Sequence, residues 1–185
     1  MERFRLVFSG AGGQGVITAS IILAEAAAIH ENMNAVQSQV YGPAARGGAA
    51  RSDVLISEKA IDFPKVSHPN VLVCLTQIAY NTYAPIIRPG SLLITDLKYV
   101  VTESKVDARQ RELPMYETVM DKIGNPVVFN ICVLGALIAL TDVVKPASII
   151  DVLKNRIPEN LLDMNRYALD LGLTLGRQAK QKKTE

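Results

Sequence analysis

Arg5-Leu6-Val7-Phe8-Ser9-Gly10-Ala11-Gly12-Gly13-Gln14-Gly15-Val16 is the stretch on which the fold turns. Arg5 to Ser9 is a short apolar run that stops at a glycine cluster, the pattern of a buried parallel strand. Val16 to Ile29 follows with helical length and good helix formers, and Glu25 is its only acidic or basic residue. A strand, a glycine-rich turn and a helix in that order open an α/β fold. The helix has almost no polar face, so it needs cover on several sides, from this chain or from another.

Outward from that unit the pattern continues. Ala35 to Gln39 is a second expected strand, followed by the loop Tyr41-Gly42-Pro43-Ala44-Ala45-Arg46-Gly47-Gly48. Ser52 to Ser57 and Ala60 to Phe63 predict two strands joined by a tight turn at Glu58-Lys59. Val71 to Leu75 predicts a buried strand, Thr76 to Ile87 a helix, and Pro89-Gly90 a break before a strand at Ser91 to Thr95. Residues 99–114 are more polar, with room for one or two short strands. Helices are expected at Met115 to Ile123, Phe129 to Leu140, Ala147 to Arg156 and Pro158 to Lys180. The expected architecture is three-layer α/β: a mostly parallel sheet flanked by helices, with a helical C-terminal part. Residues 1–179 read as one domain and residues 180–185 as a flexible basic tail.

Composition narrows the function classes. The chain has 185 residues, 49% hydrophobic and 21% charged, enough for one core. Aromatics make up only 5%, with no tryptophan, which argues against stacking platforms for sugars or single strands. A net charge of +2 is too small to suggest nucleic acid. The longest apolar run, Val127 to Leu140, is too short to span a bilayer and carries Asn130. Cys74 and Cys132 stand alone in apolar runs, which suits a reducing cytoplasm and packed core thiols. Two cysteines cannot supply an iron–sulfur cluster, and with only His30 and His68 besides, no metal site is expected.

Gly10, Gly12, Gly13, Gln14 and Gly15 have the strand-to-helix setting of a phosphate loop. A nicotinamide site needs an acid at the end of the second strand to hold the ribose, where this chain has Gln37-Ser38-Gln39. A nucleotide-triphosphate loop needs Lys and then Ser or Thr after its last glycine, where this chain has Val16-Ile17. Two readings remain: a tight turn with close helix packing, or a loop that touches an anion. Arg46 and Arg51 flank Gly47-Gly48-Ala49-Ala50 and could clamp an anion, or serve as structural pairs. In an open α/β sheet the loops after parallel strands share one rim, where Gly12, Gly13, Tyr41, Arg46, Thr76, Gln77 and Asp96 are expected to converge. Asn130, inside an apolar helix, needs a buried partner and is expected to position a neighbouring loop. No nucleophile elbow or His–Asp pair appears, so no catalytic residue is assigned.

Gly10-Ala11-Gly12-Gly13-Gln14-Gly15-Val16, followed by Tyr41-Gly42-Pro43-Ala44-Ala45-Arg46-Gly47-Gly48, resembles the gamma subunit of 2-oxoacid:ferredoxin oxidoreductases. The likeness continues through Val71 to Gln77 with Tyr83, Arg88 to Asp96, Asn130 with Leu134-Gly135-Ala136, and Asn165 with Ala168 and Gly172. The Ala44-Ala45-Arg46-Gly47-Gly48 run is most similar to the 2-oxoglutarate branch; pyruvate and branched-chain oxoacid branches stay open. The resemblance implies a reaction that takes 2-oxoacid, CoA and oxidised ferredoxin to acyl-CoA, CO₂ and reduced ferredoxin. It implies thiamine diphosphate, magnesium, iron–sulfur clusters and CoA on or with alpha, beta and delta subunits, and ferredoxin or flavodoxin as acceptor. This chain would then bind no cofactor alone and be inactive alone. Gly10, Gly12, Gly13, Gln14, Gly15, Tyr41, Arg46, Gly47 and Gly48 become candidates to meet CoA phosphate or a partner surface. The other readings are a free-standing nucleotide-binding module and a small independent transferase using the glycine loop.

Overall fold

The computed structural model describes residues 4–40 and 49–181. Its strands are β1 (Phe4–Gly10), β2 (Asn34–Val40), β3 (Ala50–Ser57), β4 (Val71–Cys74), β5 (Ser91–Asp96) and β6 (Ala108–Leu113). Its helices are α1 (Val16–Glu25), α2 (Gln77–Tyr83), α3 (Met115–Lys122), α4 (Phe129–Thr141), α5 (Pro146–Arg156) and α6 (Glu159–Gln181). The strands form one sheet in the order β2-β3-β1-β4-β5-β6. β1, β4, β5 and β6 are parallel, whereas β3 runs antiparallel to both β1 and β2. The sheet is therefore mixed, with β3 alone reversed. The connection 41–49 is too short for the helical crossover that a parallel neighbour would need, so β3 returns directly beside β2.

The strand expected over Ala60 to Phe63 does not form. Both edges of β3 are already paired, by β2 and β1, and Phe63 is 62% exposed just before Pro64. Instead, residues 58–70 run back over one sheet face toward β4. The helix predicted from Val16 to Ile29 is α1 plus a π turn at Ala26–His30. That predicted from Thr76 to Ile87 is α2 plus a 3₁₀ turn at Ala84–Ile86, tightened at Pro85.

Two apolar layers sandwich the sheet. On one side Val7, Leu55, Leu72 and Leu93 meet Ala79 and Tyr80 of α2 and Val66 of the returning segment. On the other, Leu6, Phe8, Val54, Val73 and Ile94 meet α1, α3 and α4. α1 packs on β1, β2, β3, α4 and α5 of its own chain, which supplies most of the cover its sequence demands. α4 is buried along Phe129 to Ala139, between this layer and α6. α6 can lie that close because Gly172 faces the Cys132 carbonyl and Gly135 faces the Leu169 carbonyl. A methyl group at Gly176 would stand 2.6 Å from the Ala136 carbonyl oxygen.

Polar ties fix the helix ends. Glu31 accepts from the Lys145 N–H (2.9 Å) and the Ser148 hydroxyl (2.6 Å), and so caps α5 from a distant segment. Those two hydrogen bonds hold its carboxyl below the ordinary range. α6 extends beyond the expected domain end at 179. Lys180 pairs with Asp142 and donates to the Ala139 carbonyl, so Lys180 and Gln181 belong to the helix rather than to the tail.

Candidate functional site: the glycine-loop rim

β1, β2, β4, β5 and β6 all end at one edge of the sheet, and β3 starts there, since Gly10 pairs with Ala50 and Cys74 with Thr95. This is the rim expected to gather binding loops. Gln14 holds the glycine turn: its Oε1 accepts from the Ala11 N–H (2.7 Å) and its Nε2 donates to the Leu75 carbonyl (3.1 Å). One side chain thereby locks the loop after β1 to the loop after β4.

Gly15 caps α1 at φ +69°, in the left-handed region where a side chain is strained. Its carbonyl accepts from Asn130 Nδ2 at 3.4 Å, so the buried amide of α4 positions the loop as its sequence setting suggested. A β-carbon at Gly15 would lie 2.6 Å from that nitrogen. Gly12 and Gly13 differ: both are exposed, and nothing stands within 4 Å of where their β-carbons would be. Gly10 and Gly15 thus serve packing, while Gly12 and Gly13 leave backbone open to whatever meets the rim.

The remaining expected residues divide. Tyr41, Arg46, Gly47 and Gly48 lie outside the described residues. Arg51 is committed to structure, giving a forked pair to Asp53 (2.6 and 3.0 Å) and a bond to the Val66 carbonyl (2.5 Å). It also lies 5.0 Å from the centre of the Tyr83 ring, so no anion clamp includes it. Thr76 reaches the rim but caps α2, accepting from the Ala79 N–H at 3.2 Å. Gln77 clasps the backbone of Val101 through both its amide atoms (2.8 and 3.2 Å). Asp96 ends β5 at the rim, yet its carboxylate turns inward to the N–H groups of Lys98 (3.0 Å) and Tyr116 (2.8 Å). Burial raises its carboxyl above the ordinary range, and those bonds oppose the shift.

Sequence reasoning missed an apolar collar. Ile78, Leu97, Val101 and Val127 are 51–77% exposed: Leu97 directly follows β5, Val101 lies in the segment after it, Ile78 is in the first turn of α2, and Val127 comes just before α4. The signal was present as apolar residues at strand-to-loop transitions, where loops are usually polar. Among the described residues at this edge these four, more than α1, carry the exposed large apolar side chains.

The side chains here suit contact and positioning. Burial drives the Cys132 thiol up to about 12 and raises Cys74 further, so neither is a ready thiolate. They sit on separate elements, β4 and α4. Among the described residues no three His, Cys, Asp or Glu side chains gather as a metal cluster would require. The two cysteines are too few for the four thiolates of an iron–sulfur cluster. No helix among the described residues is long and apolar enough to cross a membrane.

The chain matches the model of the pyruvate ferredoxin/flavodoxin oxidoreductase family over residues 5–175. It is 40% identical over 178 residues to the 2-oxoglutarate synthase subunit KorC of Methanocaldococcus jannaschii, covering 95% of each chain. Among solved structures it resembles the gamma subunit of a keto/oxoacid ferredoxin oxidoreductase from Geobacter sulfurreducens. That likeness has a TM-score of 0.89 and 36% identity, over 97% of this chain and 99% of that one. The fold also recurs in the 2-oxoglutarate:ferredoxin oxidoreductase of Magnetococcus marinus, with a TM-score of 0.86 and 21% identity. There it covers 96% of this chain and 32% of that one.

Proposed function

Because the chain belongs to the pyruvate ferredoxin/flavodoxin oxidoreductase family, we propose that it is the gamma-type subunit of a 2-oxoglutarate:ferredoxin oxidoreductase. The observation that carries this reading is the 40% identity to a 2-oxoglutarate synthase subunit along nearly the full length of both chains. In this reading the enzyme decarboxylates 2-oxoglutarate oxidatively with CoA, and ferredoxin or flavodoxin takes the electrons. Thiamine diphosphate, magnesium and iron–sulfur clusters sit on alpha, beta and delta subunits, where they supply the carbanion and electron chemistry. The location is the cytoplasm.

This chain's part is to present the rim. Gln14 and Asn130 hold Gly10–Gly15 in one shape, so the exposed backbone of Gly12 and Gly13 and the first turn of α1 meet a neighbour without reordering. Unpaired N–H groups at that helix start favour an anion, and the CoA phosphates are the anions the reaction brings. Tyr41, Arg46, Gly47 and Gly48 follow β2, which ends at the same edge, and complete the proposed contact. Ile78, Leu97, Val101 and Val127 supply the apolar area of a subunit interface.

Affinity purification of the tagged chain under anaerobic conditions tests the assignment. The expected result is co-elution with three further subunits, in a preparation that reduces an acceptor with 2-oxoglutarate faster than with pyruvate or branched-chain oxoacids. Recovery of the chain by itself would overturn the assembly, and a preference for another oxoacid would overturn the substrate.

A further inference from the structure

At the opposite end of the sheet, Arg5, Lys65, His68 and Arg88 line one cavity of about 320 Å³, together with Ser67 and Phe63. Leu55 is its apolar floor. Arg5 stands five residues before Gly10 on β1, which puts this cavity roughly 16 Å from the glycine rim. We propose that this basic cavity is a binding site for a phosphate-bearing small molecule, separate from the rim and from its subunit contacts.

Three observations carry the proposal. The first is charge. Arg5, Lys65 and Arg88 bring three positive charges to one cavity, in a chain whose net charge is only +2, and no carboxylate is among the described residues that line it. Several other cations are paired, as in Arg51–Asp53, Arg156–Glu25 and Lys180–Asp142. The ion pairs formed among the described residues include none of Arg5, Lys65, His68 or Arg88. Like charges held together without a counter-charge repel, and a dianion relieves that repulsion.

The second is preorganisation. The cations come from three segments that hydrogen bonds of backbone and side chains tie to one another. Arg5 N–H donates to Asn70 Oδ1 (2.7 Å) and Asn70 N–H returns to the Arg5 carbonyl (2.9 Å). Arg88 N–H donates to the Pro69 carbonyl (3.0 Å). Val66, between Lys65 and Ser67, is pinned by Asp53 (3.2 Å) and Arg51 (2.5 Å). The segments that carry the charges are therefore held together before a ligand arrives.

The third is shape and chemistry. The volume lies at the small end of the usual small-molecule range of about 300–1,000 Å³, and concavity favours an inserted group over a flat protein surface. Guanidinium groups match phosphate oxygens with paired N–H donors, and the Ser67 hydroxyl adds a neutral one. Phe63, 62% exposed at the lip, offers a flat face to an aromatic remainder such as a nucleobase.

The test is residue-resolved amide NMR on the nitrogen-15-labelled full chain, titrated with inorganic phosphate, ADP, adenosine and a short polyglutamate peptide. Phosphate and ADP are expected to shift the amides of Lys65, Ser67, His68 and Arg88 saturably, while adenosine and the peptide leave them in place. Lys65→Gln and Arg88→Gln, both at exposed positions, each weaken ADP binding about tenfold. Phe63→Ala weakens ADP and spares inorganic phosphate. Shifts by phosphate without a preference for ADP would identify a free-anion site; the reverse, a nucleotide site. The proposal fails if shifts are confined to residues 11–15, if adenosine matches ADP, or if only the peptide acts. It also fails if the charge-neutral variants bind as tightly as the parent. Failure here leaves the subunit assignment untouched, because that assignment is read by co-purification.

Discussion

Gly172→Ala lowers the midpoint of thermal unfolding by roughly 6–12 °C, measured by circular dichroism on the purified chain. The added methyl overlaps the Cys132 carbonyl oxygen and crowds the Ala136 N–H at 2.9 Å. Both are backbone atoms of α4, which lies buried under α6 and cannot yield by a rotamer change. The two helices must separate, and overpacking of this kind costs about 3 kcal/mol. For a chain of this size, each kcal/mol moves the midpoint by about 2–4 °C. Thr174→Ala is the control. It removes a hydroxyl that bonds the Asp170 carbonyl on the exposed face of α6, which costs about 1 kcal/mol or less and moves the midpoint by no more than about 2–4 °C.

Gly15→Ala has the second large effect, and it falls on assembly more than on stability. An alanine at φ +69° costs about 1–2 kcal/mol in backbone strain, and its methyl also displaces the Asn130 amide from 2.6 Å. The glycine turn then loses the bond that ties it to α4, although Gln14 still ties it to Leu75. The expected outcome is a folded chain whose recovery of partner subunits drops at least tenfold. Asn130→Ala alone loosens the loop and weakens recovery less. Combined with Gly15→Ala it makes room for the new methyl, so the double variant recovers more partner than Gly15→Ala. Simple addition of the two single effects would show that the contact does not set the loop's shape.

Much of this was written in local sequence, and the exceptions have physical causes. The β1–glycine–α1 unit, β4, β5 and α4 follow from apolar runs, and α3, α5 and α6 from stretches of helical length that mix apolar and charged residues. Asn130 was legible too, because a polar side chain inside an apolar helix must find a partner. The reversal of β3 was not, since strand direction depends on which neighbours are free, and only the short 41–49 connection hinted at it. For the same reason Ala60 to Phe63 looked like a strand but had no open edge to join. Asp96 and Arg51 looked available at the rim, yet each is held by a near neighbour, Lys98 or Asp53, together with a group distant in sequence, Tyr116 or Val66. The interlock of α4 with α6 was half visible: Gly135, Gly172 and Gly176 were in plain sight, but their facing required the packed helices.

This polypeptide is proposed to complete an oxoacid-oxidising complex whose chemistry lies on its partner subunits. The most direct measurement is CoA-dependent reduction of ferredoxin by 2-oxoglutarate in three anaerobic preparations: the reconstituted complex, the same subunits without this chain, and this chain by itself. Full turnover is predicted for the first, a loss of at least tenfold for the second and none for the third. Turnover by the isolated chain, or undiminished turnover in its absence, would contradict the account.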